Sequence, residues 1–481
     1  MNSKNLLLFE ENKLYIFYPI IGILLILFSV YITISLPHSL ALLVILTVGI
    51  IGVLSYKIFL AVVLFLITFI IEGDFILHIG LGLKIREGFT IHPIDLIFAY
   101  TVFIFIIRQC LQYGKRIEYP KIISLIILAF VVIGFGEFIR GVSVYGLKNA
   151  AWDARYVFFF LSFFIAYEFL DTEEKWRILF KIILVALVLH ALLLLGLSII
   201  RDTEIIPEEI WLMSYTEMGH KGRVGSSNGA FLIVLLPFLL FFKDWFIKQR
   251  LIGRLQWWLF VGSFIVLTLM GMGRIVFFCI LINLIILSIV RTKYLLRFGL
   301  IFMGISIFII LLIATISHFR LLLEGYIERV MNFEYLWQSG LFRILSFIDG
   351  LKLFFNNKLF GTGFGSTMNL IWITGEAVSE GLFIDNAFAT ILAKTGISGG
   401  IPFAFLSLIP LGLLFSLIHN TSDKNKQLMY KGLLFMYPAV WFSLTMSSAH
   451  LIHSRVTIIL FSLLLAFLER NLRKERSCQR K

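Results

Sequence analysis

Charged residues are scarce in this chain. Asp, Glu, Lys and Arg together make up 15% of its 481 residues, whereas 59% of the residues are hydrophobic. A soluble domain could not bury so much apolar side chain, so the composition excludes a soluble fold. Apolar runs of about 18 to 22 residues, long enough to cross roughly 30 Å of hydrocarbon as helices, recur from Leu14 to Phe467. We therefore predict that residues 1–481 form a single membrane domain.

Cysteine is also rare. Cys110, Cys279 and Cys478 have neither the spacing of metal ligands nor that of a disulfide framework, so we predict no metal site and no cofactor. Basic residues exceed acidic ones and give a formal net charge of +13. They lie between the apolar runs, however, and do not form a stripe interleaved with stacking aromatic residues. This distribution excludes nucleic acid as a partner.

The apolar runs predict an all-α, polytopic membrane protein. Of fourteen candidate spans, the third is short, and the one beginning near residue 384 is long enough to start as a helix outside the membrane. We therefore expect about 12 to 14 transmembrane helices. The candidate spans are at about 15–35, 39–56, 58–71, 93–111, 121–139, 154–170, 177–200, 229–243, 255–271, 274–290, 298–316, 384–418, 430–447 and 451–468.

The basic residues in short connections predict the orientation. Lys and Arg cluster at 115–121, 175–181, 243–254, 291–297 and 424–431 and in the C-terminal tail, and such clusters stay in the cytoplasm. Both termini are then cytoplasmic, as in a bacterial inner-membrane protein. Successive cytoplasmic clusters must be separated by an even number of spans. This requirement leaves the following segments outside: 72–92, 140–153, 201–228, 317–383 and the turn from His450 to Arg455.

The external loop 317–383 is the largest segment outside the predicted spans. We predict amphipathic helices there, one of them with Ser339 as its N-cap and with Arg343, Ser346 and Asp349 on its polar face. Such a helix would lie on the bilayer or cover a cavity. The glycine-rich turn that follows, GTGFGS, permits close approach of a ligand to the backbone, or it is only a structural loop.

The segment FIDNAFATILAKTGISGGIPFAF carries the most specific motif. Asp385 and Asn386 are followed by nine residues, then by Gly396, two more residues and Gly399. Together with Arg343 and the phrase KLFGTGFGS, this spacing resembles the O-antigen ligase and polymerase family of the glycosyltransferase-C superfamily. Other segments agree in order over roughly residues 75 to 465, namely GLKIREGFTIHPIDLIFAY, AWDARYVFFFLSFFIAY, GRVGSSNGAFLIVLLPF and LTLMGMGRIVFFCIL.

The resemblance implies a metal-independent glycosyltransferase whose donor is an undecaprenyl-diphosphate-linked oligosaccharide. Ligases of the family have His where this chain has Asp385, and polymerases vary more, so we favour a polysaccharide polymerase. The alternatives are a ligase that transfers the polymer to a lipid A core and, less favoured, a glycolipid flippase. A transporter should carry its charges within the spans, whereas here they cluster in external loops. The expected partners are the lipid-linked glycan, membrane lipids and, for a polymerase, a chain-length regulator.

Arginines suit a diphosphate leaving group, because their planar, permanently charged guanidinium groups can bind two phosphate oxygens at once. Each external arginine could instead extend to lipid phosphates as an ordinary interfacial residue. Arg155 has a third interpretation, a structural contact with Asp153. The predicted diphosphate- and glycan-binding residues are Arg155, Lys221, Arg223, Arg274 and Arg343, and the resemblance adds Asn386, Gly396 and Gly399.

Glycosyl transfer also requires a group that accepts the proton of the acceptor hydroxyl. Asp385 is the first candidate, although it could instead pair with an arginine or cap the helix that we expect to begin at Asn386. His450 and His453 are the other candidates, since a short external turn could place them over the same cavity. We therefore predict a catalytic set of Arg343, Asp385, His450 and His453.

Overall fold

The computed structural model describes residues 118–200, 236–248, 253–271, 274–290, 333–371, 377–442 and 450–479, with parts of 83–109 and Thr445. The chain divides into two compact units. The first comprises Met1–Ile117, Phe169–Glu217 and Leu251–Ser263, and the second comprises Glu118–Glu168, Met218–Arg250 and Phe264–Lys481. The predicted spans at 15–35, 39–56, 58–71 and 298–316 lie outside the described residues, as do Lys221 and Arg223.

The described residues are mostly helical, which confirms that part of the prediction. Two antiparallel hairpins are added, β1 with β2 and β3 with β4. The elements are β1 (Leu83–Arg86), β2 (Phe89–Ile91), α1 (Lys121–Phe158), a 3₁₀ turn (Phe159–Leu161), α2 (Ser162–Phe169), α3 (Glu173–Ile200), α4 (Leu236–Phe241), α5 (Lys243–Lys248), α6 (Arg254–Gly271), α7 (Arg274–Val290), α8 (Phe333–Asn356), β3 (Met368–Ile371), β4 (Ala377–Gly381), α9 (Ala387–Asn420), α10 (Lys424–Trp441), α11 (His450–His453) and α12 (Arg455–Gln479).

Two helical stretches of the described chain are long and apolar enough to cross a membrane, Lys121–Glu168 and Ala387–Asn420. Each contains one residue with a non-helical backbone, Gly146 in the first and Gly396 in the second. In the first unit, α3 carries Phe180, whose ring lies 6.0 Å from that of Phe260. The elements that concern function all belong to the second unit.

Helix α1 is two helices that turn back on each other at Gly146. The rings of Phe130 and Phe160 are 5.5 Å apart, whereas thirty residues of straight helix would separate them by about 45 Å. A Cβ on Gly134 would lie 2.7 Å from Val157, so the absence of a side chain there lets the helices approach closely. The predicted spans 121–139 and 154–170 are therefore helical, and the segment 140–153, which was predicted to lie outside the membrane, is helical on both sides of Gly146.

Helix α9 packs against α1, α8, α10 and α12 and forms the centre of the second unit. Phe403, which is fully buried, contacts the rings of Phe130 and Phe388. The helix begins at Ala387 rather than near 384, and Asn386 caps it by accepting a hydrogen bond from the N–H of Ala389 at 2.8 Å. The alternative in which Asp385 is the cap is therefore wrong.

Helix α8 differs from the prediction in two ways. It extends from Phe333, so Ser339 lies inside the helix and is not its N-cap. Its polar stripe faces the protein, since Ser346 is buried and Asp349 accepts a hydrogen bond from the backbone N–H of Asn369 in β3 at 3.1 Å. The exposed residues of the helix include four large apolar ones, Trp337, Ile344, Ile348 and Phe355, together with Lys352 and Asn356. The β3–β4 hairpin that follows was not predicted, because its short strands lack clear alternation.

Candidate active site

The glycine-rich loop 357–366 lies against the break in α9. At the break the helical hydrogen-bond pattern is interrupted, and backbone groups freed in this way need other partners. The loop supplies them on both sides of Gly396. The bonds are Thr362 N–H to Ala393 O at 2.8 Å, Gly363 N–H to Lys394 O at 2.8 Å, Ile397 N–H to Lys358 O at 2.8 Å and Ser398 N–H to Leu359 O at 3.2 Å.

The glycines of this loop approach the protein's own backbone. Gly361, Gly363 and Gly365 all have positive φ, and a Cβ on Gly361 would lie 2.4 Å from the carbonyl carbon of Lys394. Their N–H groups donate to acceptors within the protein, those of Gly361 and Gly365 to Asn357 O at 2.7 Å and to an Asp153 carboxylate oxygen at 2.9 Å. The structural alternative for this loop is therefore favoured over a phosphate-binding backbone.

A buried ion pair joins the loop to the helices. The Lys394 ammonium group contacts the Asp153 carboxylate, and the two residues are 0% and 3% exposed. The same ammonium donates to the carbonyl of Ser366 at 3.1 Å, while the carboxylate accepts from Gly365. Asp153, the residue that sequence analysis offered as a partner for Arg155, is thus committed to Lys394. A lysine within an apolar run indicates that a residue of opposite charge is buried beside it, but the sequence does not identify that residue.

The first helix of the α1 hairpin also holds the loop. Arg140 pairs with Glu137 and donates to the carbonyls of Phe360 and Gly361 at 2.7 and 2.9 Å. The hydroxyl of Tyr145 donates to the carbonyl of Thr362 at 3.2 Å. Side chains from the α1 hairpin and from α9 therefore fix the loop on several sides.

Arg343 and Asp385 form an ion pair beside this framework. The Arg343 Nε atom lies 3.3 Å from Asp385 Oδ2, and the side chains are 37% and 46% exposed. A pair this exposed contributes about 0 to 1 kcal/mol to stability, so it does little to hold the fold together. Both side chains remain accessible to a ligand. The structure therefore brings together two residues predicted for the site, in the arrangement that sequence analysis gave as one alternative for Asp385.

A second group of predicted residues surrounds Tyr156, and we call Arg155, Tyr156, His453 and Arg455 the Tyr156 cluster. The guanidinium carbons of Arg155 and Arg455 lie 4.8 and 5.5 Å from the centre of the Tyr156 ring. Arg155 also donates to the Tyr156 hydroxyl at 2.8 Å and stacks over Trp152 at 3.8 Å. The His453 ring meets that of Tyr156 edge-on at 5.0 Å. Three basic side chains thus converge on one aromatic ring.

Phe383 connects the two groups. Its ring stacks on that of His453 with a centroid separation of 3.7 Å, and it precedes Asp385 by two residues. The segment from Phe383 to Asp385 therefore links the Tyr156 cluster to the Arg343–Asp385 pair. Tyr156, Arg455 and Phe383 are not among the residues predicted for the site. Two predicted residues lie beside them, because Arg155 precedes Tyr156 in sequence and His453 stacks on Phe383.

The other predicted residues have separate positions. Asn386 caps α9, Gly396 forms its break, and Gly399 packs against Thr395 in the following turn. Arg274 and His450 are the first residues of α7 and α11. Within the residues that the structure describes, no group of three or more His, Cys, Asp or Glu side chains could hold a metal ion. The sequence matches no family model and no curated protein, so the likeness to O-antigen ligases and polymerases depends on the motifs alone.

We expect Gly396→Ala to destabilise the protein strongly. Gly396 has φ 62° and ψ −157°, a conformation almost restricted to glycine, and a Cβ there would lie 2.4 Å from the backbone of Leu359. Strain and overpacking together should cost at least about 2 kcal/mol, seen as a lower melting temperature in detergent. Gly412→Ala in the same helix is the control, because nothing lies within 4 Å of its added Cβ. Equal melting temperatures for the two variants would contradict this role of Gly396.

Proposed function

We propose that the protein is a bacterial inner-membrane glycosyltransferase with about 12 to 14 spans that polymerises a surface polysaccharide from undecaprenyl-diphosphate-linked repeats. The observation that carries the proposal is the accessible Arg343–Asp385 pair, which the segment from Phe383 to Asp385 links to the three basic side chains around Tyr156. It combines the two requirements of the reaction, cations for a diphosphate and a carboxylate for a proton.

The positions of the charged residues support the proposed orientation. Three of the basic segments predicted to be cytoplasmic, 115–121, 424–431 and the C-terminal tail, meet at one end of the second unit, where α12 contacts the residues just before α1 and the start of α10. The Arg473 guanidinium donates to the carbonyl of Glu118 at 2.7 Å, and Lys426 lies 3.3 Å from Glu475. The candidate site lies at the opposite end of α9, before Ala387. This separation fits a site on the external face.

In the proposed reaction, an acceptor hydroxyl of the incoming lipid-linked repeat attacks the anomeric carbon of the donor chain. A new glycosidic C–O bond forms, and the bond from that carbon to the diphosphate oxygen breaks. The hydroxyl proton passes to the Asp385 carboxylate, and undecaprenyl diphosphate leaves as an anion. The guanidinium groups of Arg343 and the Tyr156 cluster stabilise the charge that develops on the diphosphate.

The ion pair gives this mechanism a natural order of events. In the structure the Asp385 carboxylate is paired with the Arg343 guanidinium, so a diphosphate that binds to Arg343 must compete with that carboxylate. Donor binding then releases Asp385 to accept a proton from the acceptor hydroxyl. The carboxylate becomes available only when a leaving group is in place.

Deletion of the gene tests the function directly. Loss of a polymerase should leave a single repeat on the surface acceptor when the glycan is separated on a gel. A bare acceptor with accumulated lipid-linked polymer would instead indicate a ligase. An unchanged glycan in the deletion strain would contradict both activities.

The variant Asp385→Asn tests the proposed base. It preserves the shape of the side chain but cannot accept a proton, so we expect polymerisation by the purified protein to fall by about 10² to 10⁴ with donor binding retained. Asp349→Asn is the matched control, because Asp349 is a carboxylate on α8 whose observed contact is with the backbone of β3. If Asp385 only holds Arg343, Asp385→Asn should weaken donor binding instead, and Asp385→Glu should partly restore it.

A further inference from the structure

A stripe of large apolar side chains is exposed along α8. Trp337, Ile344, Ile348 and Phe355 are 69, 58, 41 and 61% exposed, and their steps of seven, four and seven residues place them on one side of a helix. The protein occupies the other side, where Gly350 is so close to Ile384 that a Cβ would lie 2.9 Å from its terminal carbon. Phe347 and Leu353 also pack against the protein on that side, so the helix is fixed with this stripe turned away from the protein.

The stripe continues beyond the end of α8. Leu359 and Phe360 in the loop are 65 and 58% exposed, and the loop is bonded to α9 through Lys358 and Leu359. At that junction begins the exposed apolar face of α9, which consists of Ile397, Ile401, Phe405, Leu408 and Phe415. Exposed apolar side chains therefore occur on α8, in the loop and on a helix that is long and apolar enough to cross a membrane.

We propose that α8 lies in the outer membrane–water interface, with this stripe inserted among the lipid acyl chains. The inference rests on the proposed membrane insertion of α9. Lipid then covers the exposed face of α9, and the adjoining stripe on α8 lies next to the same lipid. The lysines near the end of α8 and at the start of the following loop agree with an interfacial position. Lys352 and Lys358 are exposed beside the stripe, and the Lys358 ammonium lies 6.0 Å from the Phe355 ring, as when a lysine stem follows an apolar surface and its charge stays in water.

This position has a consequence for the substrate. Arg343 directly precedes Ile344, so insertion of the stripe holds the Arg343 guanidinium near the depth of the lipid phosphates. A lipid-linked diphosphate that diffuses within the outer leaflet would meet Arg343 at that depth. The interfacial helix would therefore let the donor enter the site sideways from the leaflet.

Nitroxide labels can measure the depth of the stripe. We would place one label at a time at positions 344, 348 and 355 of the full chain, with the native cysteines replaced by alanine, in vesicles of phosphatidylethanolamine and phosphatidylglycerol. Position 352 on α8 is the aqueous control, and position 405 on α9 is the lipid control. We expect the ratio of collisions with oxygen to collisions with a water-soluble nickel chelate to be several-fold higher at the three stripe positions than at 352, and close to that at 405.

Three results would overturn the inference, and each identifies a different reason for its failure. If the stripe resembles 352 while 405 remains in lipid, α8 is in water although α9 spans the membrane. Low collision rates with both probes would mean that protein covers the stripe, either another chain or a second copy. If 405 is also open to the nickel chelate, membrane insertion of α9 itself fails, and the proposed function fails with it.

Discussion

Lys394→Met is expected to reduce the yield of folded protein severely. The substitution keeps the length of the side chain but leaves the Asp153 carboxylate, 3% exposed, without its counter-charge. Removal of one partner from a buried ion pair costs about 3 to 5 kcal/mol, a large part of the stability of an ordinary domain. Size-exclusion profiles and melting temperatures in detergent should both show the loss. Lys352→Met is the control, because Lys352 is an exposed lysine on α8.

A double substitution separates charge from shape. Asp153→Asn together with Lys394→Met removes both charges and keeps an oxygen that can accept the hydrogen bond from Gly365. The double variant should therefore be more stable than Lys394→Met alone. If the single variant Lys394→Met melts at the wild-type temperature, the pair does not hold the loop. A double variant no better than the single one would show that the bond from Lys394 to the Ser366 carbonyl matters more than the charge.

Composition and periodicity predict much of the helical framework, because apolar runs and basic connections are local features of the sequence. The α1 hairpin illustrates this, since the two predicted spans are both helical. The Asp153–Lys394 pair could not be predicted in the same way. Its members are 241 positions apart, and only the packing of α9 against α1 decides that they meet.

The orientation of α8 shows a second limit. An amphipathic pattern predicts that a helix has two faces, but it does not tell which face contacts the protein. Here the apolar residues Phe347 and Leu353 face the protein together with Ser346 and Asp349, while a second apolar stripe, which includes Ile344 and Ile348, is exposed. The glycine-rich loop is similar, because its sequence predicts close approach of a backbone but not that the approaching group is α9.

Arg343→Lys is expected to lower the rate of polymerisation by about tenfold or more, the equivalent of one charge-assisted contact worth about 1.5 to 3 kcal/mol. Lysine keeps the charge and can still pair with Asp385. It lacks the planar fork with which arginine can bind two phosphate oxygens at once. Rates of glycan synthesis by the purified protein, measured over a range of donor concentrations, would quantify the loss.

Arg177→Lys provides a matched control for this change. Arg177 is also 37% exposed and pairs with a carboxylate, that of Glu173 at 3.7 Å, but it belongs to the first unit, whereas the candidate site belongs to the second. The control should therefore retain wild-type rates. Arg343→Ala should lose more activity than Arg343→Lys, because it removes the charge as well as the fork. If Arg343→Ala is normally expressed and fully active, Arg343 has no part in donor binding, and the remaining basic candidates, among them Arg155 and Arg455 of the Tyr156 cluster, are the next to be tested.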